Sequence, residues 1–256
     1  MDSTFSRGPA RRPQPPVVDP VLQWSTGLQT NDRRLYAGWL AEVGRSESFD
    51  DAMQKARFEQ VTIKHGSGNV VTHWAVETAN LFVIAEGVQT IAEMQRSTER
   101  YGIAFGWRTL QGGRQQSQLR FRALLSELTA FGYTEPLLVT AKGTSTGDVI
   151  NALMCQYEVL DAVEAFRKEQ GKPLLQPPFY ASSIPLGPGA DVTRGQAGQS
   201  KEIVPVVTKT PAVITREYIL ERWIKKDSVL KIENVIEATL AWSVLASKQI
   251  ASNELS

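Results

Sequence analysis

Arg57-Phe-Glu-Gln-Val-Thr-Ile-Lys64, His65-Gly-Ser-Gly-Asn69 and Val70-Val-Thr-His-Trp-Ala-Val76 form the stretch that decides the fold. Two runs rich in β-branched and aromatic residues flank a segment of turn chemistry, the signature of a hairpin and so of antiparallel pairing. Upstream, Tyr36-Ala-Gly-Trp-Leu-Ala-Glu-Val43 reads as a further strand, followed by a short helix near Phe49 to Ala56. Downstream, Asn80 to Val88 extends the same sheet. Tyr101-Gly-Ile-Ala-Phe-Gly-Trp107 alternates aromatic and small residues as a strand does, and its glycines suggest a bulge or a close approach by a ligand. A sheet of roughly five or six strands results.

Beyond this sheet the pattern turns to helices. Gln115 to Phe131 is predicted helical, with Leu119, Leu124, Leu125, Leu128 and Phe131 near one face and Gly132 as the stop. A buried strand, Pro136 to Ala141, precedes a long predicted helix over Thr144 to Gln170, where Ser145-x-x-Asp148 has capping-box spacing. Phe179 to Leu186 and Glu202 to Thr208 read as strands around a Gly-rich loop, Gly187 to Gln199. Two amphipathic helices are expected from Thr215 to Ile250, split near Lys225 to Ser228. Residues 1–34, Pro-rich and carrying Arg7, Arg11, Arg12, Arg33 and Arg34, read as a flexible basic arm. The division is therefore an arm (1–34), a core domain (35–212) and a C-terminal helical segment (213–256). The class is α+β, a mostly antiparallel sheet with interleaved helices and a C-terminal helical pair, compatible with a barrel of the oligonucleotide-binding type.

Composition narrows the functions open to such a chain. With 28 Lys+Arg against 27 Asp+Glu in 256 residues, no global charge excess points to nucleic acid or membrane, so any electrostatic function needs local segregation. One cysteine excludes an internal disulfide and suits a reducing cytoplasm. With only two histidines beside it, no zinc set is recognisable, and no cofactor is expected. No apolar run is long enough to span a bilayer, and the N-terminus does not read as a secretory signal.

Gly143-Thr-Ser145-Thr-Gly147 matches G-x-S-x-G between a predicted strand and helix, where a nucleophile elbow belongs. That elbow needs an acid and then a histidine after the serine, yet His65 and His73 both precede Ser145. Thr140-Ala-Lys142-Gly-Thr-Ser-Thr-Gly147 also departs from the P-loop order, which leaves a general anion site or simple capping by the hydroxyls.

The segregation appears between Arg100 and Ser126. This window holds Arg100, Arg108, Arg114, Arg120 and Arg122 and no acidic residue, interleaved with Tyr101, Phe105, Trp107 and Phe121 and with Gln111, Gln115, Gln116 and Gln118. Arginine offers planar donors to phosphate, aromatics stack on unpaired bases, and amides bond without sequence preference. Lys55, Arg57, Lys64 and His65 on the hairpin, Lys142, and Arg194 with Lys201 on the Gly-rich loop would extend the positive surface. The competing reading makes Phe105 and Trp107 core residues and the arginines ordinary surface. The expectation is a non-enzymatic, homo-oligomeric protein that binds single-stranded nucleic acid, DNA ahead of RNA. Two alternatives are an assembly protein self-associating through its C-terminal helices and a serine hydrolase using Ser145.

Overall fold

The computed structural model of the protein describes residues 19–252 except 28, 31–32, 35, 65–67, 97–100, 111, 195–199 and 209. In chain order the strands are β1 (Val21–Thr26), β2 (Gln29–Thr30), β3 (Arg33–Arg34), β4 (Ala37–Glu42), β5 (Glu59–Lys64), β6 (Val70–Val76), β7 (Ala79–Val83), β8 (Ile103–Thr109), β9 (Gln115–Leu125), β10 (Leu137–Lys142), β11 (Ile184–Arg194) and β12 (Ser200–Val207). The helices are α1 (Glu47–Lys55), α2 (Ile91–Arg96), α3 (Ser126–Thr129), α4 (Ser145–Met154), α5 (Gln156–Glu169), α6 (Arg216–Arg222) and α7 (Lys226–Ser252).

The α+β class is as the sequence indicates. All strands join one sheet in the order β3-β2-β12-β11-β7-β9-β10-β1-β4-β6-β5, with β8 paired to β9 beside β7. Every ladder is antiparallel except β1 with β10. The deciding hairpin forms as read, with Lys64 opposite Val70 and Glu59 opposite Ala75.

The sheet curls without closing into a barrel, which corrects the oligonucleotide-binding comparison. Trp39 on β4 donates its indole N–H to the Leu186 carbonyl on β11 at 2.8 Å, although the two strands stand far apart in the sheet order. Trp24 meets Trp39 edge to face at 5.1 Å, and Leu22, Phe121, Val139 and Leu186 belong to the same buried apolar interior. α1 closes one side of that interior with Phe49 and Met53, its first turn capped by Ser46. α7 covers the opposite, outer face: Ala104 of β8 packs on Ala246 and Ile250, and Leu124 of β9 lies in a cluster with Ile232.

Four readings are revised. Gln115 to Leu125 is a strand and not a helix, because Ser117, Leu119, Phe121, Ala123 and Leu125 alternate inward with period two. Val21 to Thr26 is a strand within the sheet, so the stretch assigned to the arm contributes Leu22 and Trp24 to the core; residues 1–18 lie outside the described residues. The predicted long helix divides at Cys155 into α4 and α5. The first part of the Gly-rich loop, Gly187 to Arg194, continues β11 opposite β12, with an irregularity between Pro188 and Asp191; residues 195–199 lie outside the described residues.

Candidate functional site

The β8–β9 hairpin projects its turn past the edge of the core. Gly112 and Gly113 both adopt positive φ there, a conformation that side chains disfavour, and the Leu110 N–H donates to the Arg114 carbonyl at 2.8 Å. The tip is therefore a defined turn that holds Arg114 out in solvent. Between this hairpin, the end of β10, the start of α4 and β12 lies a groove of about 920 Å³.

Trp107 and Phe105 occupy one wall and illustrate how alternate positions on a strand divide labour with depth. Phe105 is 3% exposed and belongs to the core, whereas Trp107, at the open end, is 43% exposed and meets Phe105 edge to face at 6.1 Å. Trp24, Trp39 and Trp74 are buried by contrast. Arg114, Gln115, Gln116 and Lys142 line the same groove, together with Gln23 from β1. Lys142 donates to the Gln23 side-chain oxygen at 3.2 Å.

The floor is a hydroxyl network around the first turn of α4. Ser117 Oγ and Thr146 Oγ1 both donate to the Gly143 carbonyl at 2.8 Å. Thr144 stands at the cap position without capping; its hydroxyl donates to the Glu202 carboxylate at 3.0 Å. The cap position thus falls one residue before the Ser145 of the expected capping box. Ser145 is 2% exposed within this first turn, which leaves its hydroxyl no open approach for a substrate.

On the outer face of β8, β9 and β10, alternation places Arg108, Gln116, Gln118, Arg120, Arg122, Thr140 and Lys142. Arg120 is half-buried, with its Nε–H unpartnered among the described residues; burial first and then Arg108 lower its pKa from the usual guanidinium value. Burial, followed by Arg120 and Arg108, likewise lowers the pKa of the Lys142 ammonium. Arg122 is engaged elsewhere, paired with Asp19 in a salt bridge at 2.8 Å and lying over Trp242 at 5.3 Å, which removes it from the proposed surface.

The structure thus brings together Phe105, Trp107, Arg114, Gln116 and Lys142 at the groove, with Arg108 and Arg120 on the adjoining outer face. It does not bring Tyr101, Lys64 or Lys201 to the groove wall: Tyr101 sits at the far end of β8, Lys64 at the β5 tip and Lys201 exposed on β12. Arg100 and the Arg194 side chain lie outside the described residues. The glycines of the Tyr101–Trp107 segment have a structural cause: a Cβ on Gly106 would stand 2.8 Å from Ile250 of α7, and one on Gly102 would stand 2.7 Å from the Ile84 carbonyl. The close approach is made by the protein itself and not by a ligand.

Gln23 and Glu202 were not anticipated, because each comes from a segment remote in sequence and carries no local motif. Among the described residues no group of three or more His, Cys, Asp or Glu side chains could hold a metal ion, and no helix is long and apolar enough to cross a membrane. No family model, curated protein or solved structure matches the chain.

Proposed function

We propose that the groove binds single-stranded nucleic acid, DNA ahead of RNA, without catalysis. The observation that carries this reading is Trp107, 43% exposed at the open end of a strand otherwise anchored in the core, beside Arg114, Gln116 and Lys142. An indole fixed in this way loses little conformational entropy when a base stacks on it, and its π-face accepts any base. Arg114 and Lys142 supply charge for backbone phosphates, and Gln115 and Gln116 supply amides that bond without demanding a sequence. Glu202, which also lines the groove and accepts from Thr144, disfavours phosphate at that end of the groove and directs the strand toward the Arg114 side.

The test is intrinsic tryptophan emission during titration with oligo-dT. Quenching in the native protein that is lost in Trp107→Phe supports the proposal, and unchanged emission at saturating oligonucleotide refutes stacking on Trp107.

A second reading has its own support in α7, where Leu230 is 54% and Leu245 61% exposed on a helix whose other face packs on β8. These side chains suit self-association, which sedimentation of the native protein against Leu230→Glu and Leu245→Glu would detect. The homo-oligomer and the cytoplasmic setting suggested by a single cysteine belong to the same proposal.

A further inference from the structure

Arg108, Arg120 and Lys142 converge on the outer face of the β8–β9–β10 ladder. Gln116 pairs with Arg108, Arg120 with both Ala104 and Thr140, and Gln118 with both Gly106 and Lys142. Their immediate polar surroundings are neutral: Gln118 accepts from Arg120 at 3.4 Å, and Gln23 accepts from Lys142 at 3.2 Å. Among the described residues none of the three is in a salt bridge, whereas Arg122, next on the same face, is neutralised by Asp19.

Half-burying like charges together without a counter-charge costs stability. Arg120 adds to that cost, since its Nε–H is shielded from water and has no acceptor among the described residues. Three cations supplying several N–H donors, framed by amides and a hydroxyl, match the charge and hydrogen-bonding demand of a phosphate group.

We infer that Arg108, Arg120 and Lys142 form a seat for a phosphate-class anion on the outer face, distinct from the stacking position at Trp107. Lys142 belongs to both, because it also lines the groove. In the function proposed above, on which this assignment rests, the anion is a backbone phosphate of the same strand. A base stacks on the inner-face residue Trp107 while the backbone passes over the end of the ladder to the outer face. A free phosphorylated small molecule would present the same chemistry.

Two measurements on the full-length chain separate these sources. Thermal melts with inorganic pyrophosphate should raise the Tm of the native protein by a few degrees, through binding to the folded state alone. Arg120→Gln and Lys142→Gln should abolish that rise, and Lys64→Gln, which removes an exposed cation away from the ladder, should retain it. Without pyrophosphate, Arg120→Gln should melt at or above the native temperature, because it removes repulsion. A purely structural arginine would lower it. No pyrophosphate response in the native protein, or an equal response in the Gln variants, overturns the seat.

Oligo-dT titrations over a salt series then test the backbone assignment. Arg120→Gln should reduce the log-log salt slope by about 0.7, one phosphate contact. If Trp107→Ala weakens oligo-dT while Arg120→Gln leaves the slope unchanged, the backbone assignment fails and the groove reading stands. A pyrophosphate response without oligo-dT binding refutes the groove reading and supports a seat for a free anion.

Discussion

Arg120 and Arg122 share one face of β9, yet their surroundings are opposite. Arg122 lies in a compensated environment: it forms a salt bridge with Asp19 at 2.8 Å, the Trp242 ring lies against it, and its side chain is only 19% exposed. Arg120 has Arg108 and Lys142 as its charged neighbours and a neutral amide as its hydrogen-bond acceptor. The difference separates an arginine that holds the fold together from one that the fold tolerates at a cost. A count of arginines in the sequence window treats the two alike; their counter-charges distinguish them.

The largest expected effect comes from breaking the compensated side. Arg122→Ala leaves Asp19 buried without its cation and uncovers Trp242, which should cost about 3 to 5 kcal/mol in a urea melt, the usual loss on breaking a buried pair. A loss no greater than that of Arg120→Gln would erase the contrast.

Next is the helix that shelters Arg122. Gly106→Ala drives a methyl into Ile250, whose Cγ2 stands 2.8 Å from the position a Cβ would take. Overpacking of this kind costs about 1 to 3 kcal/mol, and hydrogen exchange should locate the loosening in α7 and β8.

Trp107→Ala probes the uncompensated side through binding. Oligonucleotide affinity should fall by about 1 to 3 kcal/mol per stacked base, while stability, for a side chain 43% exposed, should change much less. Equal losses of affinity and stability would return Trp107 to the core.

The smallest effect concerns Glu127, a carboxylate that resembles Arg120 in lacking a salt bridge among the described residues. It accepts from the Asn80 backbone and side-chain amides, and burial, the dominant cause, raises its pKa above 4.5. With the folded-state pKa raised, its contribution to stability is fully present below 4.5 and is lost as pH rises through the folded value. Glu127→Gln should therefore be more stable than the native protein at neutral pH, with the advantage shrinking as pH falls toward 4.5, as urea melts at several pH values would record.

The same contrast explains what the sequence disclosed. The β5–β6 hairpin was legible because its turn chemistry and β-branched runs are local. β9 was not: Leu119, Leu124, Leu125 and Leu128 mimic a helical stripe because the C-terminal end of the strand is covered on both faces, Leu125 facing the core and Leu124 facing α7. Two-sided burial at that end breaks the alternation that the rest of the strand keeps, with Leu119, Phe121 and Ala123 inward and Gln118, Arg120 and Arg122 outward. β1 was hidden by its Pro-rich flank, although Leu22 and Trp24 alternate inward with Gln23 between them. Gly187 and Gly189 resembled loop glycines, but a Cβ on Gly187 would meet Thr78 and one on Gly189 would meet Val206, so tight packing within the sheet selects them.

The candidate site divides along the same line. The window's composition set Trp107 beside arginine and glutamine but left open whether it is core; its exposure comes from the structure, which places Phe105 in the core instead. The engagement of Arg122 was not legible there, since Asp19 and Trp242 reach it from opposite ends of the chain. The contributions of Gln23 and Glu202 depend on the curl of the sheet, which no local pattern encodes.

The central claim is that the groove at Trp107 binds a single strand by stacking and charge together, and fluorescence anisotropy of labelled oligo-dT over a salt series tests it most directly. The account predicts affinity that falls with salt at a log-log slope of about 0.7 per neutralised phosphate. It also predicts that Trp107→Ala lowers affinity at every salt concentration without changing that slope. Absence of binding at low ionic strength, or binding indifferent to both salt and the Trp107 substitution, would contradict it.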